Sequence, residues 1–365
     1  MKVAIVCDWL TNVGGAEKVL LAIHEMYPDA PIYTSQYNPK GIDWFKDADV
    51  RTGYLQHFPK KIRRLIPMLR QHYFDNLDLS EYDLVISVTG AEAKSIKCGT
   101  KTTHICYCHV PTQYYWQMYD DYVKNPGFGI LNPIVRFFFK RFVKPLKNAD
   151  YYAAQRPDYF VTISSYAANM IKRYYKREAT VIAPPVDTDK FPVVKNTTRD
   201  GFINFSRQVS WKRQDLAIKA CIKAGKKLTV IGEGPEHENL VKAANGSDLI
   251  RFLPFMSTED LARELWHAEA FLFPSMEPFG IAPVEALSAG CPVIAYAKGG
   301  AKDYVINKKN GLLFGKQTVD SLAQALKDFE KLKLDQDFIA KSAQEYDVEN
   351  FKKKLKKFID EKVAK

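Results

Sequence analysis

The sequence predicts an α/β protein made of two doubly wound domains, and three observations support this. First, its 365 residues are too many for one ordinary hydrophobic core and fit two domains of about 100 to 200 residues each. Second, short apolar runs alternate with amphipathic stretches in both halves, which is typical of parallel sheets covered by helices. Third, PPVDTDKFPVVKNTTRDG, rich in proline and polar residues, lies between the halves and is typical of a linker.

The first domain is predicted to span 1–185. The run KVAIVCD predicts its first strand rather than a signal peptide, because Asp8 interrupts the apolar stretch. The next stretch, GGAEKVLLAIHEMY, predicts a helix, because its apolar residues share one helical face: Val19, Leu20, Ile23, Met26 and Tyr27. Further strands are predicted at APIYTS, LVISVT, HICYCHV, YFVTIS and ATVIA.

The linker is predicted at 186–200, the second domain at 201–345 and a C-terminal helix at 346–365. Strands and helices of the second domain are predicted to alternate along FINFS, QDLAIKACIKAG, KLTVIG, PEHENLVKAA, LIRFL, TEDLARELWHAEA and FLFPS. Ser257 followed by Asp260 is typical of a capping box. Two open sheets joined by a linker leave a cleft between them, and ligands of such sheets bind beyond the carboxyl ends of the strands.

Composition narrows the class of protein. The fractions of apolar (46%) and charged (26%) residues are those of a soluble globular or peripheral protein, and no stretch approaches the ~20 apolar residues of a membrane span. The six cysteines have unrelated spacings, which favours a reducing compartment, so we expect a cytoplasmic location. A net charge of +11 favours an anionic partner: nucleic acid, anionic lipid or a phosphorylated small molecule.

The stretch MEPFGIAPVEALSAG predicts a loop followed by a helix that tolerates Pro283 in its first turn and ends near Gly290. Backbone N–H groups at such a helix start suit a phosphate. Glu277 and Glu285 are too far apart for a simple catalytic pair. They could accept hydrogen bonds from hydroxyl groups on either side of a bound diphosphate. Alternatively, they are ordinary solvated acids.

A second candidate lies in RQVSWKRQD, after the strand FINFS. Arg207 and Lys212 could clamp a pyrophosphate and neutralise charge on a leaving phosphate, or belong to an ordinary basic loop. Gly14 and Gly15 after the first strand, and Gly232 at the end of KLTVIG, could let the backbone approach a ligand, although tight turns need glycine too.

Together these segments resemble retaining glycosyltransferases of the GT-B fold, family four, also called the group 1 transferases. The segments that carry the resemblance are NVGGAEKVL, YCHVPTQYYW, ISSYAANMIKRYYKREATVIAPPVDTDKF, RQVSWKRQDLAIKA, VIGEGPEHENL and EPFGIAPVEALSAGCPVIAY. The E-x7-E pattern of Glu277 and Glu285 is the most specific motif. PPVDTDKF and the Lys212–Arg213 pair are similar to a subset described as mannosyltransferases.

The resemblance implies two Rossmann-like domains facing across a cleft, and it implies a role for each candidate residue. Glu285 would hold the nucleotide ribose and Glu277 the donor sugar hydroxyls, while Arg207 and Lys212 bind the diphosphate. The other implied donor contacts are the backbone of Phe279, Gly280 and Ile281, the Gly14–Gly15 loop closing from the first domain, and His109 near the donor sugar.

The resemblance further implies transfer with retention, no metal, and no cofactor beyond the nucleotide-sugar co-substrate. GDP-mannose is the favoured donor, and a UDP-sugar is the alternative. The acceptor would be a glycan or a lipid-linked molecule, in cell-surface polysaccharide or glycolipid synthesis. The chain departs from many relatives at Ser206, where they have glycine, and at Pro278, where they have an acid; the second departure puts the donor in question.

Metal sites are weaker candidates. Four side chains of types that bind zinc lie close together in the sequence: His104, Cys106, Cys108 and His109. Strand alternation, however, turns His109 away from the other three, and no distant CxxC completes a zinc site. The DxD strings 47–49 and 187–189 could hold a divalent ion, although two cations already meet the diphosphate charge.

The segment 134–147 predicts a basic amphipathic helix. One arc carries Arg136, Lys140, Lys144 and Lys147, and the opposite arc carries Val135, Phe138, Phe139, Phe142 and Leu146. Such a helix could bind the anionic inner face of the cell membrane, and a second basic patch at 60–70 could assist it. Alternatively, its aromatic face could pack into the core.

Three other functions stay open from the sequence. An epimerase would need its own acid/base histidines. A phosphorylase would need a cofactor lysine, and the sequence does not identify one. A non-catalytic membrane- or nucleic-acid-binding protein would explain the charge, but it would leave the four charged candidates at 207, 212, 277 and 285 without a purpose.

Overall fold

The computed structural model describes residues 1–59, 66–124, 126, 129 and 132–363. The chain divides into two compact units: Met1–Pro184 with Lys352–Lys365, and Pro185–Phe351. Each unit contains one parallel sheet flanked by helices. The predicted fold class, two doubly wound α/β domains, is confirmed.

The first unit contains a seven-stranded sheet of order β3-β2-β1-β4-β5-β6-β7. All its strand pairs are parallel. The central strands are apolar and buried, as expected for a sheet covered on both faces. The strands are β1 Val3–Cys7, β2 Ile32–Thr34, β3 Val50–Thr52, β4 Leu84–Thr89, β5 Thr103–Cys108, β6 Tyr159–Thr162 and β7 Thr180–Val181.

The helices of the first unit are α1 Gly15–Met26, α2 Pro67–Asp75, α3 Tyr119–Lys124, α4 Asn132–Ala153 and α5 Ser165–Tyr175. In α1, the predicted face is buried at Val19, Leu20 and Ile23. Helix α5 begins where the Ser164 side chain accepts a hydrogen bond from the backbone N–H of Ala167.

The second unit contains a six-stranded sheet of order β10-β9-β8-β11-β12-β13, again with only parallel pairs. Its strands are β8 Phe202–Phe205, β9 Leu228–Ile231, β10 Ile250–Leu253, β11 Ala270–Phe273, β12 Val293–Tyr296 and β13 Gly311–Phe314. Its helices are α6 Gln214–Ala224, α7 His237–Ala244, α8 Thr258–His267, α9 Ile281–Ser288, α10 Ala301–Tyr304, α11 Val319–Phe329 and α12 Gln336–Ala343. Ser257 caps α8 as predicted, because its hydroxyl accepts from the Asp260 N–H at 3.1 Å.

The unit boundaries differ from the predicted domains in two places. The predicted linker, 186–200, is held within the second unit: Thr197 Oγ1 donates to Trp266 O at 2.8 Å, and Trp266 Nε1 donates to Pro192 O at 2.7 Å. Most of the final helix, α13 Val348–Val363, is part of the first unit, which the chain re-enters at Lys352; there Lys352 Nζ lies 2.8 Å from Glu25 Oε2. Composition does not reveal such partners, because they are distant in sequence.

The strand order reverses once in each sheet. In the first unit the reversal lies between β1 and β4, and in the second it lies between β8 and β11. At such a point the connections on either side leave in opposite directions, so a crevice opens beyond the carboxyl ends of the two strands. These two positions are where the fold predicts ligand sites.

Candidate active site

An ion pair lies at the strand reversal of the second unit. Lys212, which follows β8, donates from Nζ to Oε2 of Glu277, which follows β11, at 2.7 Å. Ser275 Oγ donates to the other carboxylate oxygen, Oε1, also at 2.7 Å. The side chains of the lysine and the glutamate are only 23% and 17% exposed. The structure therefore brings together two of the residues that the sequence predicts for donor binding.

The backbone around Glu277 is held by a pair of glycines that the sequence analysis missed. Gly300 N donates to Glu277 O at 2.8 Å. A Cβ on Gly299, whose φ is +82°, would lie 2.4 Å from the same carbonyl oxygen. Only glycine permits this close approach. The glycine doublet two residues after the strand VIAY was the available signal.

The turn into α9 depends on Gly280. Its φ of +92° and the 2.6 Å that would separate an added Cβ from the Phe273 ring leave no room for a side chain. Phe279 is buried beside Tyr304, with ring centroids 5.4 Å apart, and Tyr304 OH donates to Phe279 O at 2.8 Å. Burial raises the pKa of Tyr304 well above its usual value, so its hydroxyl stays a donor.

Helix α9 begins at Ile281 and contains Glu285, as predicted. Glu285 is half-buried, and its carbonyl accepts from Ser288 Oγ at 2.8 Å. The sequence predicts that the backbone N–H groups of this first turn bind an anion, and this stays a prediction. The ribose contact of Glu285 stays a prediction.

Arg207 and Gly232 lie on loops that pack together after β8 and β9. The Arg207 side chain is exposed. Gly232, with φ +128°, would place a Cβ 2.2 Å from Ser206 O, so the close approach that requires glycine here is to neighbouring backbone. Gln208, which the sequence analysis missed, is buried and donates from Nε2 to Gly232 O at 2.7 Å.

A buried carboxylate occupies the strand reversal of the first unit. Asp8, directly after β1, accepts hydrogen bonds from the backbone N–H groups of Gly90 (2.9 Å), Ala91 (3.1 Å) and Ala93 (2.8 Å). Thr89 Oγ1 donates to it at 2.9 Å. Burial, with nearby Glu92, raises its pKa. The sequence analysis missed this role, although an acid at the end of a first strand was a usable signal.

His109 follows β5, and its backbone N–H donates to Thr89 O at 2.9 Å. Burial lowers the pKa of His109 to about 4, so the ring is neutral at pH 7. Its buried Nε2 has no hydrogen-bond partner among the residues that the structure describes. Asp8, Glu17 and His109 all line one cavity of about 940 Å³. His109 therefore lines the cavity and has a ring nitrogen whose hydrogen-bonding capacity is unmet within the described part of the chain.

The glycines at the start of α1 are less constrained than predicted. Gly14 is the extended N-cap residue, with φ −167°, and Gly15 opens the helix. A Cβ on Gly14 would meet only the flexible carboxylate end of Glu17, at 2.8 Å. The backbone conformation therefore does not require glycine at position 14, and a role in binding a ligand stays a prediction.

Two buried ion pairs support the first unit near the cavity. Arg70 donates to both carboxylate oxygens of Glu92 at 2.9 Å, with only 3% and 6% of the side chains exposed. Lys94 Nζ lies 2.6 Å from Asp150 Oδ1. Arg70 belongs to the predicted basic patch 60–70, but its charge is buried against Glu92 because bidentate pairing compensates for lost water. The other cations of that patch, at 60–65, lie outside the described residues.

The metal candidates have other partners. His104 Nε2 lies 2.8 Å from Ser87 Oγ, and burial lowers the pKa of His104 to about 3. Asp49 binds the guanidinium of Arg51 at 2.7 Å. Within the described ranges, no group of three or more His, Cys, Asp or Glu side chains could hold a metal ion.

The predicted amphipathic helix forms as part of α4. Its apolar residues line the same cavity as His109. The alternative that this face packs into the core is wrong for Phe138 and Phe142, which are 54% and 46% exposed. On the basic arc, Arg136 donates to Val123 O at 2.8 Å, and Lys147 Nζ lies 4.5 Å from the Tyr119 ring centroid. Over the described residues, no helix is both long and apolar enough to cross a membrane.

Several known proteins to which the chain is similar are named as glycosyltransferases. Residues 185–346 match the family "Glycosyl transferases group 1". A GDP-mannose-dependent alpha-(1-6)-phosphatidylinositol monomannoside mannosyltransferase of Mycobacterium tuberculosis is 29% identical over 198 residues, which cover 46% of this chain and 51% of the relative. The alpha-1,3/1,6-mannosyltransferase of Mus musculus is 24% identical over 356 residues, which cover 83% of this chain and 81% of the relative.

Among solved structures, HepE of Anabaena in complex with UDP has a TM-score of 0.70 at 18% identity and covers 99% of this chain and 100% of its own. The chain spans about half the length of the first curated relatives it matches. The segment 185–346 thus matches the group 1 glycosyl transferases, and the chain as a whole has the two-domain fold of the GT-B glycosyltransferases.

Proposed function

We propose that the protein is a retaining, metal-independent glycosyltransferase that moves a sugar from a nucleoside diphosphate to a hydroxyl of a glycan or lipid-linked acceptor. The observation that carries the proposal is the ion pair between Lys212 and Glu277 at the strand reversal of the second unit, beside the helix start formed at Gly280. A cation, a carboxylate and free N–H groups suit a diphosphate joined to a polyol. The segment that holds them is the one that matches the family.

In the proposed mechanism, Arg207 and Lys212 hold the diphosphate, Glu277 the sugar hydroxyls and Glu285 the ribose. The bond between the anomeric carbon and the phosphate oxygen breaks, and its electron pair stays on the diphosphate. The acceptor oxygen bonds to the same face of the sugar, and its proton passes to the leaving phosphate oxygen. The cations stabilise the developing charge electrostatically, and the neutral His109 orients a sugar hydroxyl.

We propose GDP-mannose as the donor, since two relatives are named as mannosyltransferases and one of them as GDP-mannose-dependent. The second candidate is a UDP-sugar, because HepE was solved with UDP and with UDP-glucose. We further propose a cytoplasmic site of action and a role in cell-surface polysaccharide or glycolipid synthesis.

The test is thermal unfolding of the wild type with GDP, UDP and ADP, each with and without EDTA. A nucleotide at ~100 times its Kd adds about 2.7 kcal/mol to the free energy of unfolding. We expect one nucleotide to stabilise the wild type in EDTA and to lose that effect in Glu285→Gln. Glu259→Gln on the exposed face of α8 is the matched control and should keep it. If no nucleotide stabilises the wild type, the proposal fails.

A further inference from the structure

The cavity in the first unit is larger and more apolar than a sugar acceptor needs. Its volume of about 940 Å³ lies near the top of the ~300–1,000 Å³ of small-molecule sites. The carboxyl ends of β1 and β5 contribute the polar side chains of Asp8 and His109, whereas the α4 side chains in the lining are all apolar and those of α2 are apolar except Arg70. Glycan acceptors are polyols, which need many hydrogen-bonding groups, whereas most of the side chains in this lining are apolar.

The wall on α4 is a continuous aromatic and aliphatic stripe. Val135, Phe138, Phe139, Phe142 and Leu146 share one face of the helix and all line the cavity. The rings of Phe138 and Phe142 lie 9° from parallel, with centroids 6.3 Å apart. About half of each of these two side chains is exposed. They therefore contribute little to the packed core, and they present an apolar surface to the cavity.

The apolar wall continues onto exposed residues of α2 and of the first turn of α4. Met68, Leu69 and Ile134 line the cavity and are 66%, 40% and 57% exposed. Contiguous exposed apolar residues mark binding surfaces for apolar partners.

The other part of the lining can bind a polar head group. The Nε2 atom of His109 is buried, neutral at pH 7, and without a hydrogen-bond partner in the described part of the chain. A buried polar atom without a partner costs free energy unless a ligand satisfies it. The cavity thus combines a hydroxyl-binding group with a hydrocarbon wall, which is the pattern of an amphipathic ligand.

We propose that this cavity binds the hydrocarbon chain of a lipid-linked acceptor, with α2 and α4 as the wall and His109 at the polar head group. Calling the ligand an acceptor rests on the proposed function. Binding of its hydrocarbon chain, however, can be tested without any donor. It narrows the acceptor class to molecules that carry a long alkyl or isoprenoid chain.

The test is calorimetric titration of the full chain with methyl, butyl and octyl β-glucosides, each below its micelle concentration. The sugar head is constant, so only the alkyl chain changes. Four more buried methylene groups should raise the affinity on the order of 100-fold from butyl to octyl. Phe142→Glu, which places a carboxylate in the wall, should abolish that gain, and Phe138→Glu should do the same.

Phe137→Glu is the matched control. Phe137 lies on the same helix, is 67% exposed, and is absent from the cavity lining, so its variant should keep the gain with chain length. Equal affinity for the butyl and octyl glucosides in the wild type would overturn the proposal. So would a gain that survives Phe142→Glu and Phe138→Glu, or one that Phe137→Glu also removes, since the chain would then bind elsewhere on the surface.

A nucleotide arm separates this inference from the proposed function. GDP or UDP should stabilise Phe142→Glu as much as the wild type, because the nucleotide residues lie in the second unit. If no nucleotide stabilises any variant while the chain-length gain persists and depends on Phe142, the proposed function fails and the hydrocarbon site stands. If a nucleotide stabilises every variant and the gain is missing, the inference fails alone.

Discussion

The ion pair between Lys212 and Glu277 makes a prediction that separates the two residues. Under the proposed function, the lysine must turn from the carboxylate to the donor diphosphate. We therefore expect Lys212→Met to weaken nucleotide binding and Glu277→Gln to strengthen it. Both variants should lose sugar transfer, because Glu277 holds the donor sugar and the lysine stabilises the leaving group.

The magnitudes follow from the geometry. Two unit charges 2.7 Å apart attract each other by about 6 kcal/mol at an effective dielectric constant of about 20, but desolvation of a pair that is only about one-fifth exposed offsets most of that. We expect Glu277→Gln to raise affinity for the free nucleotide about fivefold. Loss of one charge-assisted hydrogen bond, about 1.5–3 kcal/mol, should lower affinity about 10- to 150-fold in Lys212→Met.

The assay is calorimetric titration with the nucleotide that stabilises the wild type, followed by kcat/KM with its sugar ester. Arg213→Met is the matched control: it removes the same charge one residue away, and Arg213 is engaged with Asp215 at 3.0 Å. It should change nucleotide affinity less than about threefold. If Glu277→Gln weakens the free nucleotide as much as Lys212→Met does, the two side chains do not compete and the reasoning is refuted.

Three further predictions concern the framework. Gly280→Ala should lower the free energy of unfolding by about 3 kcal/mol in urea denaturation, because the added methyl group would both overlap its neighbours and strain a backbone of positive φ. The control is Gly225→Ala, which has a φ of +66° but open space around it, and it should lower the free energy of unfolding by only about 1 kcal/mol. The pKa of His109, about 4 when folded, lies below the unfolded value of about 6.5, so stability should fall as pH drops from 6.5 to 4, and less steeply in His109→Gln; equal slopes would contradict this. Arg70→Met should cost about 3–5 kcal/mol, because it leaves Glu92 buried and unpaired; a loss below about 1 kcal/mol in the same denaturation assay would argue against it.

Local sequence patterns were enough to predict much of the secondary structure and part of the candidate site. The start of α9 was predictable because a glycine turn, a proline in the first turn and apolar spacing all act within a few residues. The cap of α8 at Ser257 was predictable for the same reason. The arc of α4 that lines the cavity was also correct, because the helical period decides which side chains share a face.

The contacts that form the two sites join residues that are far apart in the sequence, so local patterns could not predict them. Lys212 and Glu277 are 65 residues apart, and Asp8 and Gly90 are 82 apart. Each contact exists because the order of strands places β8 beside β11 and β1 beside β4. The family resemblance named the lysine and both glutamates, but it did not reveal that the lysine and Glu277 contact each other.

The sequence by itself determined the two-domain α/β class, the alternation of strands and helices, and the chemical types available for binding, since these depend on hydrophobic period and on local turn chemistry. Only the tertiary structure decided that most of α13 belongs to the first unit, that Arg70 is buried, and that the aromatic face of α4 lines a cavity. The physical reason is that burial depends on which elements pack together, and neither the period nor the composition of a single segment contains that information.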